Sequence, residues 1–199
     1  MFLGEAMKNN HPKMTYKEFM EFINLPKNQG KTFELMDGYV IAMSSPTTNH
    51  QRICGYIARK VGNYLEGKQC EVFQNLNVHL YKKDLGRRKN VFQPDMMVGC
   101  DQEKMTDHGY EGTPEWVVEV ISKSTARNDY FAKTFFYLNY GVKEYWIVDL
   151  SADQITVYLN HEEKPPIIQT YTFNDRIKVS IFDDFYIDFS EVLSLISNR

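Results

Sequence analysis

Two periods of hydrophobic residues alternate along the chain, and together they predict a mixed α/β fold. Apolar residues recur every four positions in the segment before Gly67, which places them on one face of an amphipathic helix. They are Ile53, Ile57, Val61 and Leu65. Similar spacing predicts a short helix from a Thr15 cap to about Phe22. A second core helix is expected from Asp129 to Tyr140, with its aromatic residues in the core.

Strand signals surround these helices. An Asp37-Gly38 pair between two apolar runs predicts a β-hairpin near the N-terminus. The next two predicted strands, Val72 to Leu80 and the run around Asp95, are joined by a polar loop and are expected to form a long hairpin. Further strands are predicted at Trp116 to Ile121, Glu144 to Leu150 and Ile155 to Leu159, and a closing helix at Ser190 to Ile196. The central order is therefore helix, three strands, helix, strand.

Two carboxylates interrupt apolar strands. Glu119 lies within Trp116 to Ile121, where an ionised group loses its hydration unless a cation or hydrogen bonds compensate. Asp95 follows Pro94 and precedes another apolar run. An acid at a strand end is often only a solvated or capping group, but two neighbouring strands that aim carboxylates at one point form a site for a hard metal ion.

Length and charge limit the possible classes of protein. The 199 residues, 43% of them hydrophobic, are enough for one domain with a full core, which we place at 14–199 after a loose N-terminal tail at 1–13. A net charge of −3 excludes a generally basic protein that coats nucleic acid, but allows a local basic patch. No apolar stretch is typical of a signal peptide or a membrane span, so no membrane partner is expected.

The cysteines predict a reducing environment. Cys54, Cys70 and Cys100 are odd in number and show no CxxC spacing. We therefore expect neither a disulfide framework nor a structural zinc site, and a cytoplasmic location.

A set of ordered segments resembles the Uma family of putative restriction endonucleases, within the PD-(D/E)xK nuclease superfamily. The resemblance covers roughly residues 14–192. Its segments are Phe33-Glu34-Leu35-Met36-Asp37-Gly38, Ser45-Pro46 with His50, Gln93-Pro94-Asp95, Val117-Val118-Glu119-Val120-Ile121-Ser122 with Ser124-Thr125, and Gly141-Val142-Lys143-Glu144-Tyr145-Trp146-Ile147-Val148-Asp149. The resemblance implies an α/β (α+β) fold with a restriction-endonuclease-like core around a mixed sheet. The N-terminal hairpin and C-terminal strands are additions to that core.

The resemblance also implies an active site. Asp95, Glu119 and the backbone carbonyl of Val120 would bind Mg²⁺, with Mn²⁺ as a substitute, and Glu34 would be a further acid near the metal. The superfamily's catalytic lysine usually lies two residues after the second acid, where this chain has Ile121. Lys133, one helical turn after Asp129, is the first candidate to replace that lysine.

Several candidate residues could have either a functional role or an ordinary structural one. Lys123 is the second candidate for the missing lysine, and Lys133 could form only a salt bridge with Asp129. His50 and Gln93 are possible site-lining residues, although His50 could be a helix cap and Glu34 could pair with a nearby lysine. A basic cluster is either a solvated hairpin tip or a surface that contacts DNA phosphates. It consists of Lys82, Lys83, Arg87, Arg88 and Lys89.

Two functions follow as hypotheses. The preferred one is a Mg²⁺-dependent endonuclease that hydrolyses DNA phosphodiester bonds and acts as a homodimer, since one such site cuts one strand. The alternative is a degenerate nuclease fold that binds nucleic acid or a protein partner without cutting. Lysine access to the carboxylates distinguishes them.

Overall fold

The computed structural model describes residues 13–81, 89–121, 126–161 and 164–196, with side chains described in these ranges except at 126–131. The expected N-terminal tail, apart from Lys13, lies outside these residues. None of the helices described has the length and apolarity that a membrane span requires.

Helices form where the sequence periodicity predicts them. Thr15 caps the first helix through a capping box with Glu18, and Thr47 caps the second by accepting a hydrogen bond from the His50 amide. The last helix is one turn long, shorter than the expected 190–196. The α-helices of the described residues are α1 (Tyr16–Ile23), α2 (Thr48–Leu65), α3 (Ala126–Tyr140) and α4 (Ser190–Leu193).

Within the described residues, the strands form two six-stranded sheets and a small hairpin. The first sheet has the order β2-β1-β5-β4-β8-β7, the second β12-β11-β10-β9-β6-β3, and β13 pairs with β14. The strands are β1 (Phe33–Met36), β2 (Tyr39–Ala42), β3 (Glu71–Phe73), β4 (Val78–Leu80), β5 (Asn90–Phe92), β6 (Met96–Gly99), β7 (Met105–Thr106), β8 (Gly109–Glu111), β9 (Trp116–Ile121), β10 (Glu144–Asp149), β11 (Gln154–His161), β12 (Lys164–Tyr171), β13 (Arg176–Lys178) and β14 (Tyr186–Asp188). The predicted β1–β2 hairpin is confirmed, and Asp37 and Gly38 both have the positive φ that a tight hairpin turn requires.

The predicted long hairpin exists, but each of its strands is split between the two sheets. β4 pairs with β5 in the first sheet, whereas β3 pairs with β6 in the second. Between β3 and β4 the chain changes sheets at Asn75, which has φ 52°. Between β5 and β6 it changes sheets at Gln93-Pro94-Asp95, and the Asn75 amide donates to the Pro94 carbonyl across the break. The expectation of one continuous strand from Val72 to Leu80 was therefore wrong. Pro94 cannot donate to a sheet ladder, so the chain bends there.

β9 lies in the middle of the second sheet and separates two hydrophobic clusters. Trp116, Val118 and Val120 pack in the cluster that contains α2, whereas Val117 and Ile121 pack in the cluster that contains α3. Because successive strand residues point to opposite faces, Glu119 faces α3.

The buried face of α3 differs from the expected one. Phe135 is 44% exposed, whereas Tyr137 and Tyr140 are buried. Lys133 is only 1% exposed. A lysine on the core-facing side breaks the apolar pattern, which is why the aromatic spacing suggested a face that includes Phe135.

Cys70 and Cys100 form a disulfide, contrary to the expectation from cysteine spacing. Glu71 pairs with Gly99 in the antiparallel β3–β6 ladder, so the two cysteines are the next opposing pair at its end. Thirty residues separate them in sequence, which hides this proximity. The cysteine pattern therefore no longer supports the cytoplasmic expectation, which stays a prediction.

Candidate active site

A cavity of about 330 Å³ opens where the break between β5 and β6 meets the start of α2. Six predicted site residues line it: His50, Gln93, Asp95, Glu119, Val120 and Lys133. Ile121 also contributes to its wall. The residues singled out from four separate segments of the sequence thus converge on one space.

Asp95 is held against β9 by the strand register. Met96 pairs with Val118, so Asp95 lies beside the Glu119–Val120 peptide. The Val120 amide donates to Asp95 Oδ2 at 2.7 Å, and His50 Nε2 lies 3.0 Å from the same oxygen. The two acids predicted on neighbouring strands therefore lie at the same level of the sheet.

Glu119 is buried, and two described side chains donate to one of its oxygens. Lys133 Nζ donates to its Oε1 at 3.0 Å, and the Tyr137 hydroxyl donates to the same atom at 2.9 Å. Burial raises the pKa of Glu119 to about 8; Lys133 opposes this rise, and Asp95 and Glu34 add to it. Burial likewise raises the pKa of Tyr137 well above its usual value, so its hydroxyl keeps the donated proton.

Glu34 reaches this cluster from β1, in the other sheet. Its Oε1 accepts a hydrogen bond from Lys133 Nζ at 2.9 Å and another from the Gln93 amide at 3.0 Å. Among the described residues, its buried Oε2 has no hydrogen-bond partner. Lys133 therefore bridges two buried carboxylates that come from different sheets.

Cys54, His50 and Asp95 form a chain of contacts. Cys54 Sγ lies 3.6 Å from His50 Nδ1, and the opposite ring nitrogen faces Asp95. The thiol is 3% exposed and does not line the cavity, and burial, followed by the charges of Asp95 and Glu119, raises its pKa. Such a thiol is not an activated nucleophile, because activation requires access and a lowered pKa.

The remaining candidates fall into two groups. Lys123, Lys82, Lys83, Arg87 and Arg88 lie outside the described residues, as does the side chain of Asp129. Lys89 is described: its Nζ lies 3.0 Å from Glu111 Oε2 and 4.8 Å from the centre of the Tyr16 ring. Its proposed contact with DNA phosphates stays a prediction.

Sequence reasoning missed two members of the site. Tyr137 follows Lys133 by four residues, and Cys54 follows His50 by four residues, so each pair shares a helix face. Helical spacing from the candidates already chosen could have found both. Neither was sought, because tyrosines and cysteines in apolar helices are usually core residues.

Comparisons with known proteins show which family the chain belongs to. The Uma2 family, described as "Putative restriction endonuclease", matches residues 19–190. The chain belongs to this family. It is similar to the uncharacterised protein slr1290 of Synechocystis, with 28% identity over 179 residues that cover 89% of this chain and 90% of that protein. It is also similar to sll1609 of the same organism, with 25% identity over 132 residues that cover 65% of this chain and 72% of that protein.

The fold is shared with a solved structure. A crystal structure of a putative nuclease belonging to DUF820 from Anabaena variabilis superposes with a TM-score of 0.73 and 16% sequence identity. The match covers 91% of this chain and 98% of that one. The predicted nuclease-like α/β fold, with a helix, strands, a helix and a further strand around a mixed sheet, is thereby confirmed for this Uma2 chain.

Proposed function

We propose that this Uma2 chain is a Mg²⁺-dependent endonuclease that hydrolyses DNA phosphodiester bonds. The observation that carries the proposal is the buried Lys133, which bonds Glu34 and Glu119 beside Asp95 on the wall of one cavity. A buried lysine between carboxylates is costly to desolvate, so a purely structural role would be better served by apolar residues. The cluster also supplies the lysine that is missing at Ile121.

The donor atoms suit a hard cation. Mg²⁺ prefers carboxylate, carbonyl and water oxygens. Among the described residues, the hydrogen bonds to Glu119 converge on Oε1 and those to Asp95 on Oδ2, so we assign Glu119 Oε2, Asp95 Oδ1 and the Val120 carbonyl as metal ligands. Bound there, the ion would lower the pKa of a coordinated water and offset charge on the phosphate oxygens.

The protein groups supply orientation and proton handling. Lys133 carries the positive charge that can orient the attacking water or stabilise the charge of the transition state. Tyr137 fixes the Glu119 carboxylate by donating to it. Glu34 holds Lys133 from the opposite side and is itself positioned by the Gln93 amide.

Cleavage of supercoiled and linear DNA tests the proposal. We expect cutting by the wild type with Mg²⁺ or Mn²⁺, none with excess chelator, and losses of at least about 100-fold in Asp95→Ala, Glu119→Gln and Lys133→Met. Glu144→Gln is the matched control, because Glu144 is also a buried strand glutamate, on β10, but does not line the cavity. Full activity in chelator or in Asp95→Ala would refute the proposal.

The same assay addresses the alternative and the oligomeric state. DNA binding without cleavage at any metal concentration would favour the degenerate, binding-only protein. We also propose a homodimer, because cutting both strands requires two sites. Light scattering during size-exclusion chromatography, with and without DNA, should then give twice the 23.4 kDa chain mass, and a monomer under both conditions would contradict it.

A further inference from the structure

A second set of potential ligands lies on the α2 side of the cavity. His50, Cys54 and Asp95 each offer one ligand atom, and these atoms all lie within 4.8 Å of one another. His50 and Cys54 are four residues apart on α2, so the helix itself holds the imidazole and the thiol on one face. Asp95 is brought to them by the break between β5 and β6.

The chemistry of this set differs from that of the oxygen site. Thiolate and imidazole ligands select borderline and soft metals, whereas Mg²⁺ takes oxygen ligands. His50 faces the other two ligands through different ring nitrogens, since Cys54 Sγ lies 3.6 Å from Nδ1 and Asp95 Oδ2 lies 3.0 Å from Nε2. An ion bound through one ring nitrogen therefore takes the place of the contact at that nitrogen.

We propose that His50, Cys54 and Asp95 form a binding site for a thiophilic divalent cation of the Zn²⁺ class. Three protein ligands leave a fourth position for water, as in open zinc sites. His50 and Asp95 line the cavity, which gives the ion a path from solvent. Cys54 is buried on the core side of the site. Binding replaces the thiol proton with the metal, and that proton is released to solvent.

Asp95 belongs both to this site and to the proposed Mg²⁺ site, so binding of the second cation should regulate cleavage. This consequence rests on the proposed function. Asp95 cannot keep its full role in a Mg²⁺ site while it ligates a second cation through the same carboxylate. Zn²⁺ should therefore inhibit Mg²⁺-dependent cleavage, and Cys54→Ser should weaken that inhibition at least about tenfold, because it removes the ligand that selects Zn²⁺.

Cobalt substitution tests the site without any assay of activity. Co²⁺ titrated into the full chain should produce a thiolate-to-cobalt charge-transfer absorption that saturates at one ion per chain and disappears when Zn²⁺ is added. Cys54→Ser and His50→Gln should both lose the band. The matched control is Cys70→Ser with Cys100→Ser, which removes the other two cysteine sulfurs and should keep the band.

Each outcome decides the proposal. His50 lies at the cavity wall, so His50→Gln should leave the core intact. This variant therefore tests the site even if Cys54→Ser perturbs folding. Absence of the band in wild type, or its survival in either single variant, overturns the site. If no cleavage is found at all, the nuclease proposal fails, yet the cobalt titration still decides whether this metal site exists.

Discussion

Tyr137 shows how a single hydroxyl supports the proposed site. It donates to the Glu119 oxygen that also binds Lys133. In Tyr137→Phe the free energy of unfolding should fall by about 1.5–3 kcal/mol, because the lost hydrogen bond goes to a buried carboxyl group. Cleavage should fall about 10- to 100-fold, the range for groups that orient a metal ligand.

Tyr140→Phe is the matched control for this prediction. It removes a buried hydroxyl from the same helix, but its partner is Asn90 Nδ2 at 2.6 Å, away from the carboxylates. Urea unfolding should show a loss of stability in both variants, with cleavage reduced only in Tyr137→Phe. Equal activity in the two would mean that the Tyr137 hydroxyl serves packing alone.

The raised pKa of Glu144 predicts that the stability of the protein depends on pH. Burial raises its pKa to about 7, although Trp146 Nε1 and the Ile181 amide donate to its oxygens. The folded protein therefore binds a proton that the unfolded chain has released between about pH 4.5 and 7. The stability from this group is complete below that window and is lost as pH rises through it, by up to about 1.4 kcal/mol per pH unit.

Urea unfolding at pH 5, 6 and 7 measures this slope. Glu119 adds a slope of the same sign, so the difference between wild type and Glu144→Gln isolates Glu144. The variant should be less stable at pH 7, where its amide leaves an N–H donor unpaired, and should have a flatter profile. Identical slopes would show that Glu144 keeps an ordinary pKa.

At the scale of elements, the β3–β6 ladder depends on its disulfide. The Cys70–Cys100 bond closes a loop of 30 residues, for which chain entropy predicts about 2–4 kcal/mol of stabilisation. Reduction should lower the free energy of unfolding of wild type and Cys54→Ser equally. Thiol titration in denaturant should find one free thiol per chain before reduction and three after; three at the outset would contradict the bond.

At the scale of the whole molecule, metal binding should couple to folding. A cation that binds only the folded state adds about 2.7 kcal/mol at a hundredfold excess over Kd. The melting temperature should therefore rise with Mg²⁺ in wild type and in Cys54→Ser. The melting temperature of Asp95→Asn should not rise with Mg²⁺. Without metal, this variant should melt at or below the temperature of wild type, because Asp95 accepts a hydrogen bond from the Val120 amide. No response to millimolar Mg²⁺ in wild type would oppose the oxygen site.

Local patterns determined the elements and most candidate residues. The four-residue spacing in α2, the Asp37-Gly38 turn and the apolar run around Glu119 each depend on neighbouring positions, so sequence alone specified them. The resemblance to the family added Glu34, and Lys133 as a replacement for the lysine that is missing at Ile121. The predictions of these elements are confirmed because short-range propensity and burial fix helices and hairpins.

Tertiary structure decided what depends on distant parts of the chain. The split of the long hairpin between two sheets, the Cys70–Cys100 bond and the buried face of α3 could not be read from local spacing. Lys133 became a core residue because Glu34 and Glu119, from different sheets, compensate for its buried charge. A lysine in isolation predicts exposure, and only the folded chain brings together the carboxylates that reverse this expectation.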